Sequence, residues 1–371
     1  MKTDFLGLYV HIPFCVKKCA YCDFCSFPPN QFTEREKYVE ALCNEILEYK
    51  ARGIALDTVF FGGGTPSLLT PSEFGKIFDA IEESFKISPD AEITMEANPK
   101  TLTRENAISY ISRGVNRFSL GLQSIHQNEL KILGRIHLYS DFVDSYNLLR
   151  DLGIKNINVD IMYGIPEQTQ ASFSDTLTTV SALKPEHISL YSLILEEGTP
   201  LYSMRDSITF PDEDCDCDMY FSAVNMLSSL GYRHYEISNY AISGKESRHN
   251  LKYWHDEEYI GVGLSAYSYF NGGRYGNTDN IESYLKGERK TSSEQIDMSS
   301  EAYEYVMLSL RLADGFSLDE YKSRFSEDFI ESRRDAIKQL IDNGYAEIRD
   351  GNLSLTDRGM YVSNAILTEL I

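Results

Sequence analysis

Residues Gly7–Ser26 read GLYVHIPFCVKKCAYCDFCS and join a predicted β-strand to a loop that holds four of the chain's seven cysteines. The β-branched and aromatic run Gly7–Pro13 predicts a buried strand. Cys15, Cys19 and Cys22 follow this strand with the spacing C-x3-C-x2-C. Because thiolates are soft ligands that bind iron–sulfur clusters, zinc or Cu(I), the loop is predicted to hold a metal centre.

The other cysteines help to distinguish these metal centres. A zinc ribbon usually presents two C-x2-C pairs. No second pair follows here, because Cys215 and Cys217 are only two positions apart in an acidic predicted helix. Three ligands on one short loop favour a [4Fe–4S] cluster whose fourth iron has no protein ligand and is open to a small molecule. Cys25 is then the odd thiol of the loop.

Beyond the loop, strand and helix patterns alternate along the chain. Six short apolar runs predict strands at Gly7–Pro13, Asp57–Phe61, Glu92–Glu96, Arg117–Leu122, Asn156–Met162 and His187–Leu195. Helical patterns lie between them, and the clearest covers Thr33–Arg52. Because six units are too few for a closed eight-unit barrel, we predict an α/β fold built on a partial, open (β/α)6 barrel. A doubly wound parallel sheet is the alternative.

The chain after residue 195 departs from this alternation. The stretches YEISNYA and YIGVGLSAYSYF predict strands, and NGGRYGN predicts a turn. From about Ser300, three helices and a hairpin around Asp350 and Gly351 predict a small C-terminal winged-helix-like domain. We therefore divide the chain into a barrel core over 1–235, an elaboration of the core that carries the motif HNLKYW over 236–298, and the winged-helix-like domain over 299–371.

Charge and hydropathy limit the partners of this chain. The formal net charge is −21, which repels phosphate backbones and argues against nucleic acid as a partner. Acidic residues also outnumber basic ones in the C-terminal domain, so its shape does not predict DNA binding. No segment approaches the roughly 20 apolar residues that cross a bilayer, and the N-terminal residues lack the apolar region of a signal peptide. We predict a cytoplasmic protein that is not an integral membrane protein.

Glycines and polar residues mark the ends of the predicted strands. Phe60–Ser67, FFGGGTPS, places three glycines where the second strand ends, and no lysine follows as it would in a Walker loop. Glu96, Gln123 and Asp160 end or follow later strands, and Arg135 comes twelve residues after Gln123. Because the carboxyl ends of parallel strands meet at one edge, these residues are expected to form one site. Arg135 offers a cation to a carboxylate, and Glu96, Gln123 and Asp160 offer acceptors to hydroxyl groups. The predicted site therefore suits a ligand with an amino-acid end and a ribose.

These motifs together resemble a known family. The C-x3-C-x2-C loop with Tyr21 before its third cysteine, together with the glycine-rich strand end, is the signature of radical S-adenosylmethionine (radical SAM) proteins. The sequences YVHIPFC, GGGTPS, EANP, GLQS, LGRIH, VDIMYGIP and GLSAYSYF resemble the oxygen-independent coproporphyrinogen III oxidase branch of that superfamily. The resemblance covers nearly the whole chain, including the C-terminal domain.

The resemblance implies roles for individual residues. Cys15, Cys19 and Cys22 would bind the [4Fe–4S] cluster, and SAM would chelate the fourth iron through its amino and carboxylate groups. The residues expected to contact SAM are Tyr9, Tyr21, Gly64, Thr65, Glu96, Gln123, Arg135 and Asp160. Ile194 and Tyr267 are expected to line its adenine. In the family, reductive cleavage of SAM gives a 5′-deoxyadenosyl radical.

Two subgroups of this branch match the chain differently. The oxidase has a fourth cysteine two residues after the third, where this chain has Phe24, and it has a long N-terminal extension. The heme chaperone subgroup resembles this chain in its short N-terminus, its YCDF sequence and the motif H-N-x-x-Y-W, which stands here as His249–Trp254. In that subgroup the motif is associated with heme binding, so His249 is the expected axial ligand. A histidine that fixes a loop by hydrogen bonds is the simpler interpretation of His249.

The resemblance therefore implies a heme chaperone that binds heme and transfers it to apo-hemoproteins, with membrane respiratory enzymes as the expected recipients. Its expected cofactors are a [4Fe–4S] cluster, SAM and heme. The family also implies covalent attachment of heme and a role for the cluster in forming a homodimer. The alternative is an oxidoreductase that decarboxylates coproporphyrinogen III to protoporphyrinogen IX, and a radical enzyme with another substrate is the third hypothesis.

Overall fold

The computed structural model describes residues 5–370, and its first half repeats a strand–helix unit. Strands β1 Phe5–Ile12, β2 Ala55–Gly63, β3 Lys86–Ala97, β4 Arg117–Gln123, β5 Ile157–Tyr163 and β6 His187–Ser192 alternate with helices α1 Arg35–Leu47, α2 Pro71–Ser84, α3 Arg104–Ser112, α4 Gln127–Ile132, α5 Tyr139–Asp151 and α6 Gln170–Ala182. Five of these strands begin within two residues of their predicted starts, and β3 begins six residues earlier than the predicted Glu92. Helix α2 starts with Pro71 at its first position, and Thr70 and Glu73 form a reciprocal capping box.

The six strands pair in chain order, and this order decides the architecture. Neighbouring pairs from β1 to β6 are all parallel. A doubly wound sheet would reverse its strand order at a switch point, and no reversal occurs between β1 and β6. The structure therefore confirms the barrel prediction and excludes the doubly wound alternative.

Later elements extend the sheet at both edges. They are α7 Pro200–Ser203, α8 Glu213–Ser229, β7 Arg233–Glu236, β8 Asn239–Ala241, α9 Arg248–Trp254, β9 Tyr259–Val262, β10 Tyr267–Phe270, β11 Gly273–Asn277, α10 Ile281–Leu285 and β12 Lys290–Gln295. The sheet has twelve strands in the order β12-β11-β10-β9-β1-β2-β3-β4-β5-β6-β8-β7. Its two edge strands, β12 and β7, do not pair within residues 5–370, so the barrel is open as predicted.

One predicted turn is a strand instead. The residues NGGRYGN were expected to form a turn, but Gly273–Asn277 is β11, which pairs with β10 on one side and β12 on the other. The reversal needs only Asn271 and Gly272, which have φ angles of 55° and 71°. An Asn-Gly pair in this conformation closes a two-residue hairpin, which leaves the following residues free to extend.

The C-terminal elements form a separate small sheet with its own core. They are α11 Met298–Ser309, β13 Phe316–Ser317, α12 Leu318–Phe325, α13 Phe329–Ser332, α14 Arg334–Asp342, β14 Ala346–Arg349, β15 Asn352–Leu355, α15 Asp357–Tyr361 and α16 Ser363–Leu370. The strand order is β13-β15-β14, and a compact cluster that includes Tyr321 and Phe329 packs beneath it. Asp350 and Gly351 both have positive φ and form the predicted hairpin turn.

The faces of the barrel strands are sorted by side-chain type. On β4, Phe118, Leu120 and Leu122 are fully buried in the apolar core that holds the helices. The alternate residues of β4, from Arg117 to Gln123, line the inside of the barrel. This period-two pattern gives the barrel a polar interior. Across residues 5–370, the structure contains no helix with the length and apolarity needed to cross a membrane.

Candidate cofactor site

One cavity of about 510 Å³ occupies the inside of the barrel and opens at the carboxyl ends of its strands. It collects almost all of the residues that the sequence singles out. Its lining includes Tyr9, Cys15, Cys19, Tyr21, Cys22, Gly64, Thr65, Glu96, Gln123, Arg135, Asp160 and His249. Residues as far apart in the chain as Tyr9 and His249 thus face one space, as expected for an α/β barrel site.

Backbone hydrogen bonds hold the cysteine loop over this cavity. Cys15 N donates to Phe27 O at 3.0 Å, and Phe27 N donates to Pro13 O at 2.7 Å, so the loop closes on itself. Ala20 N donates to Leu133 O at 2.9 Å, which ties the middle of the loop to the segment before Arg135. The loop is therefore fixed both at its base and within the three-cysteine motif.

The three thiols are free, partly exposed and in contact with polar groups of the cavity. Thr65 Oγ1 donates to Cys15 Sγ at 3.7 Å, and Arg135 Nη1 donates to Cys19 Sγ at 3.6 Å. Burial raises the pKa of the Cys22 thiol. Donors that contact the sulfurs of Cys15 and Cys19 stabilise thiolates, the form in which cysteine binds metal.

The donor set fits a cluster better than a single ion. No group of three or more His, Cys, Asp or Glu side chains within residues 5–370 is arranged to hold one metal ion. A [4Fe–4S] cluster needs only soft thiolates, and it spaces them around a larger body than one ion does. Three accessible thiols on one loop above an open cavity meet that requirement.

The glycines at the end of β2 allow the chain to pack closely against the cysteine strand. A Cβ at Gly64 would lie 2.7 Å from Phe14 O and 3.0 Å from Ile12 O. Gly63 has a φ of 111°, and its N–H donates to Glu96 Oε2 at 3.1 Å. These glycines therefore bring β2 against the residues that lead into Cys15.

Arg135 lies at the end of the cavity next to the cysteine loop, where several hydrogen bonds fix its position. Its Nη2 donates to Asn98 Oδ1 at 2.7 Å and also to Gly121 O. Burial by itself would lower the pKa of Arg135, but Tyr21, Cys19 and Asp160 around it raise that pKa above its ordinary value. The sequence patterns did not single out Asn98, although it stands in the quoted motif EANP. Its oxygen fixes the orientation of the guanidinium.

Two carboxyl groups face the same space. Burial, followed by the nearby charge of Asp160, raises the pKa of Glu96 to about 8. Burial also raises the pKa of Asp160, which accepts hydrogen bonds from Asn158 Nδ2 at 2.7 Å and Ser119 Oγ at 3.3 Å. At neutral pH, Glu96 is therefore mostly protonated, and a cationic ligand group would favour its ionised form.

Gln123 has an unusual backbone at the end of β4. Its φ is 73°, in the left-handed region that a non-glycine residue seldom adopts, and its side chain is buried. The pairing of β4 with β5 shifts register between Gly121 and Gln123. Strain of this kind persists where the surrounding structure holds it, and here it sets the direction of a side chain that lines the cavity.

Some predicted residues lie elsewhere. Ile194 and Tyr267, expected near the adenine of SAM, are 67% and 60% exposed and do not line the cavity. Cys215 and Cys217 lie on α8, where the intervening Asp216 accepts a hydrogen bond from Tyr361 of the C-terminal module at 3.1 Å.

His249 lies on the floor of the cavity, at the start of α9. It is 1% exposed, and its ring stacks on Phe60 with a centroid distance of 5.3 Å. Nδ1 contacts Thr58 Oγ1 at 2.8 Å, and Nε2 contacts the Tyr253 hydroxyl at 2.8 Å. Burial lowers the pKa of His249 to about 3, so the ring is neutral and one nitrogen has the lone pair that a metal ligand needs.

Comparisons with known proteins find relatives that match nearly the whole chain. Residues 9–180 match the family model of the Radical SAM superfamily, and residues 300–362 match that of the HemN C-terminal domain. The protein named Heme chaperone HemW from Lactococcus lactis is 33% identical, over 98% of this chain and 96% of its own length. Its namesake from Escherichia coli strain K12 is 34% identical, over 99% of this chain and 98% of its own length.

A solved structure shares the fold. Coproporphyrinogen III oxidase (HemN) from Escherichia coli, described as a radical SAM enzyme, superimposes with a TM-score of 0.86. The alignment covers 99% of this chain and 90% of the other chain at 21% sequence identity. At that identity the likeness concerns the fold, which both chains share from the barrel to the C-terminal module.

Proposed function

This chain belongs to the HemW family within the radical SAM superfamily, and from that membership we propose that it is a heme chaperone that binds heme and passes it to apo-hemoproteins. The observation that carries the proposal is the full-length similarity to HemW proteins, joined to one cavity that contains both the three-thiol loop and His249. As finer steps, we propose membrane respiratory enzymes as recipients and a homodimer as the assembled form.

The residues proposed to hold the cofactors are those of the cavity. Cys15, Cys19 and Cys22 would bind a [4Fe–4S] cluster, which supplies one-electron chemistry when bound. SAM would contact Tyr9, Tyr21, Gly64, Thr65, Glu96, Gln123, Arg135 and Asp160. Within this set, Arg135 offers a fixed guanidinium to a carboxylate, and Glu96 offers a carboxyl that an ammonium group would ionise.

His249 is the proposed axial ligand of heme. In the structure Nε2 is engaged by the Tyr253 hydroxyl, and Nδ1 by Thr58. Ligation through Nε2 therefore requires the hydroxyl of Tyr253 to move away, while the Thr58 contact can remain and orient the ring. A hydrogen bond to the second ring nitrogen commonly fixes a metal-ligating histidine in this way.

Two further assignments belong to the proposal. The seven free cysteines suit a reducing compartment such as the cytoplasm. We also propose that residues 1–235 form the cofactor-binding core, that 236–298 extend it with the HNLKYW motif, and that 299–371 form the winged-helix-like module.

The proposal is tested by adding hemin to the anaerobically reconstituted protein. We expect a stoichiometric Soret band that shifts to the position of the holo-hemoprotein when an apo-hemoprotein is added, because the chaperone must pass its heme on. His249→Ala should weaken or shift the band, whereas His255→Ala, a change at an exposed histidine just after the motif, should leave it unaltered.

A parallel incubation distinguishes the enzymatic alternative. Coproporphyrinogen III and SAM are added to the same protein under reducing, oxygen-free conditions. Conversion to protoporphyrinogen IX would contradict the chaperone assignment and support the oxidase. The chaperone assignment would also fail if hemin bound no more tightly than it binds to nonspecific apolar sites.

A further inference from the structure

The floor of the cavity, which is the end that holds His249, contains a buried arginine without a hydrogen-bond or ion-pair partner among the described residues. Arg117, the first residue of β4, is 2% exposed and lines the cavity. Its guanidinium forms no ion pair or hydrogen bond with any residue in the range 5–370, and its Nε is buried without an acceptor. A buried charge without a partner is strongly unfavourable, so such a group points to a ligand that supplies the missing charge.

The second arginine of the cavity shows the contrast. The Nε of Arg135 also lacks an acceptor among the described residues, but its Nη groups donate to Asn98, to Gly121 O and to the sulfur of Cys19, whereas those of Arg117 have no such partner there. Arg117 acts on the cavity carboxyls only through space, where its charge partly offsets the burial that raises the pKa of Glu96 and of Asp160. Among the described residues, neither carboxyl contacts its guanidinium, and each is held by other donors.

Two unpartnered polar groups accompany Arg117. Asn250, which follows His249 in the HNLKYW motif, lines the same cavity, and its side-chain amide forms no hydrogen bond within the described part of the chain. Thr94 is the register partner of Arg117 on β3, and its buried hydroxyl has no partner within that part either. Of the three, Arg117 and Asn250 line the cavity, and a guanidinium and an amide N–H are donors that bind a carboxylate.

Arg117 lies at the end of β4 that is far from the expected position of the cluster. Arg117 begins β4 and Gln123 ends it, and six residues of strand span about 20 Å. The cysteine loop lies at the end marked by Gln123. At the other end, Arg117 is in register with Thr94 of β3 and, through it, with Phe60 of β2, and the His249 ring stacks on Phe60.

We propose that Arg117 and Asn250 form a carboxylate subsite on the cavity floor that takes a propionate of heme bound at His249. The proposal rests on the proposed function, since it names the group of the heme that this floor recognises. A guanidinium pairs with a carboxylate through two parallel hydrogen bonds, and the Asn250 amide adds another donor. SAM also has a carboxylate, but its expected position is at the cluster, at the opposite end of β4.

The experiment compares hemin with its dimethyl ester, in which both propionates are blocked. Anaerobically reconstituted wild type, Arg117→Gln and Arg117→Lys are titrated with each compound and, separately, with SAM. Arg117→Gln should lose about ten- to hundredfold in hemin affinity, the usual range for a hydrogen-bonded charged group, and Arg117→Lys should lose less. The ester should bind all three proteins equally weakly. Arg113→Gln, which removes a surface arginine paired with Asp79, should behave as wild type.

Each other outcome has a defined meaning. Equal hemin affinity of wild type and Arg117→Gln would overturn the subsite. Loss of SAM binding with unchanged hemin binding would assign the carboxylate to SAM and overturn the heme assignment. Should Arg117→Gln fail to fold, the wild type alone decides, because equal affinity for hemin and its ester excludes a propionate contact. Absence of hemin binding by the wild type would refute the chaperone function itself.

Discussion

At the scale of single residues, Cys22 and Cys25 share one loop but have different surroundings. Cys22 lines the cavity with the other two motif cysteines. The Cys25 thiol instead lies 3.8 Å from Asp279 O, and burial raises its pKa to about 11. Its backbone carbonyl accepts a hydrogen bond from His11 Nε2 at 2.8 Å. Between the two, Phe24 is 67% exposed at the edge of the cavity, where the oxidase has its extra thiol.

We therefore predict different iron contents for two serine variants. Cys22→Ser should lose most of the iron and sulfide after anaerobic reconstitution, because a hydroxyl is a poor ligand for a soft metal centre. Cys25→Ser should retain about four irons per chain, the content of one [4Fe–4S] cluster. Iron and sulfide analysis decides between them. Loss of the cluster in Cys25→Ser would show that the fourth thiol is a ligand and that the three-cysteine assignment is wrong.

At the scale of elements, the contact between the end of β2 and the end of β1 sets the position of the cysteine loop. Gly64 N donates to Ile12 O at 2.9 Å, and the space beside Gly64 is filled by the backbone of Phe14. Backbone atoms cannot rotate away as a side chain can. Any side chain at Gly64 must therefore displace the residues that lead directly into Cys15.

Gly64→Ala is thus expected to destabilise the fold by about 1–3 kcal/mol and to reduce cluster loading, since overpacking forces the backbone to shift. Gly75→Ala is a matched control, because no atom lies within 4 Å of the position that a Cβ would take at this site on α2. That change should stabilise by about 0.5–1 kcal/mol through helix propensity. Denaturant unfolding and iron content measure both effects. Full loading and unchanged stability in Gly64→Ala would contradict the packing argument.

At the scale of the whole molecule, a buried junction joins the large sheet to the C-terminal module. Ile237 N donates to Arg311 O at 2.9 Å, and Ala313 N donates to Tyr235 O at 3.0 Å. Glu236 lies fully buried between these contacts. The Arg311 guanidinium is 5.7 Å from the Trp254 ring, so the last residue of HNLKYW reaches the same junction.

Glu236 should make the stability of this junction depend on pH. Burial raises the pKa of Glu236 to about 7, above the value near 4.3 expected in the unfolded chain. The folded state therefore holds a proton that the unfolded state releases, and stability decreases as pH rises from about 4 to 7. Glu236→Gln should flatten the fall of Tm between pH 5 and 8, and Glu288→Gln, at an exposed carboxyl, should not. Parallel Tm curves for wild type and Glu236→Gln would refute this role.

Short-range patterns along the chain were enough to predict the units of the fold, and they also predict a metal cluster at the cysteine loop. These patterns are apolar runs at strand period, capping residues such as Thr70, and three thiols within eight positions. The open barrel also followed from the number of such units. The missed strand at Gly273–Asn277 was hidden because its glycines resemble a turn, although only Asn271 and Gly272 make one.

Only the folded arrangement shows which distant residues share the cavity. Sequence motifs singled out His249 and Arg135 but did not show that the first is buried beneath Phe60 or that the second is already bonded to Asn98. They also gave no sign of Arg117, which stands in an ordinary strand sequence. Whether a buried arginine has a counter-charge depends on long-range packing of β3, β4 and α9, because burial and hydrogen-bond partners arise only when those elements meet in space.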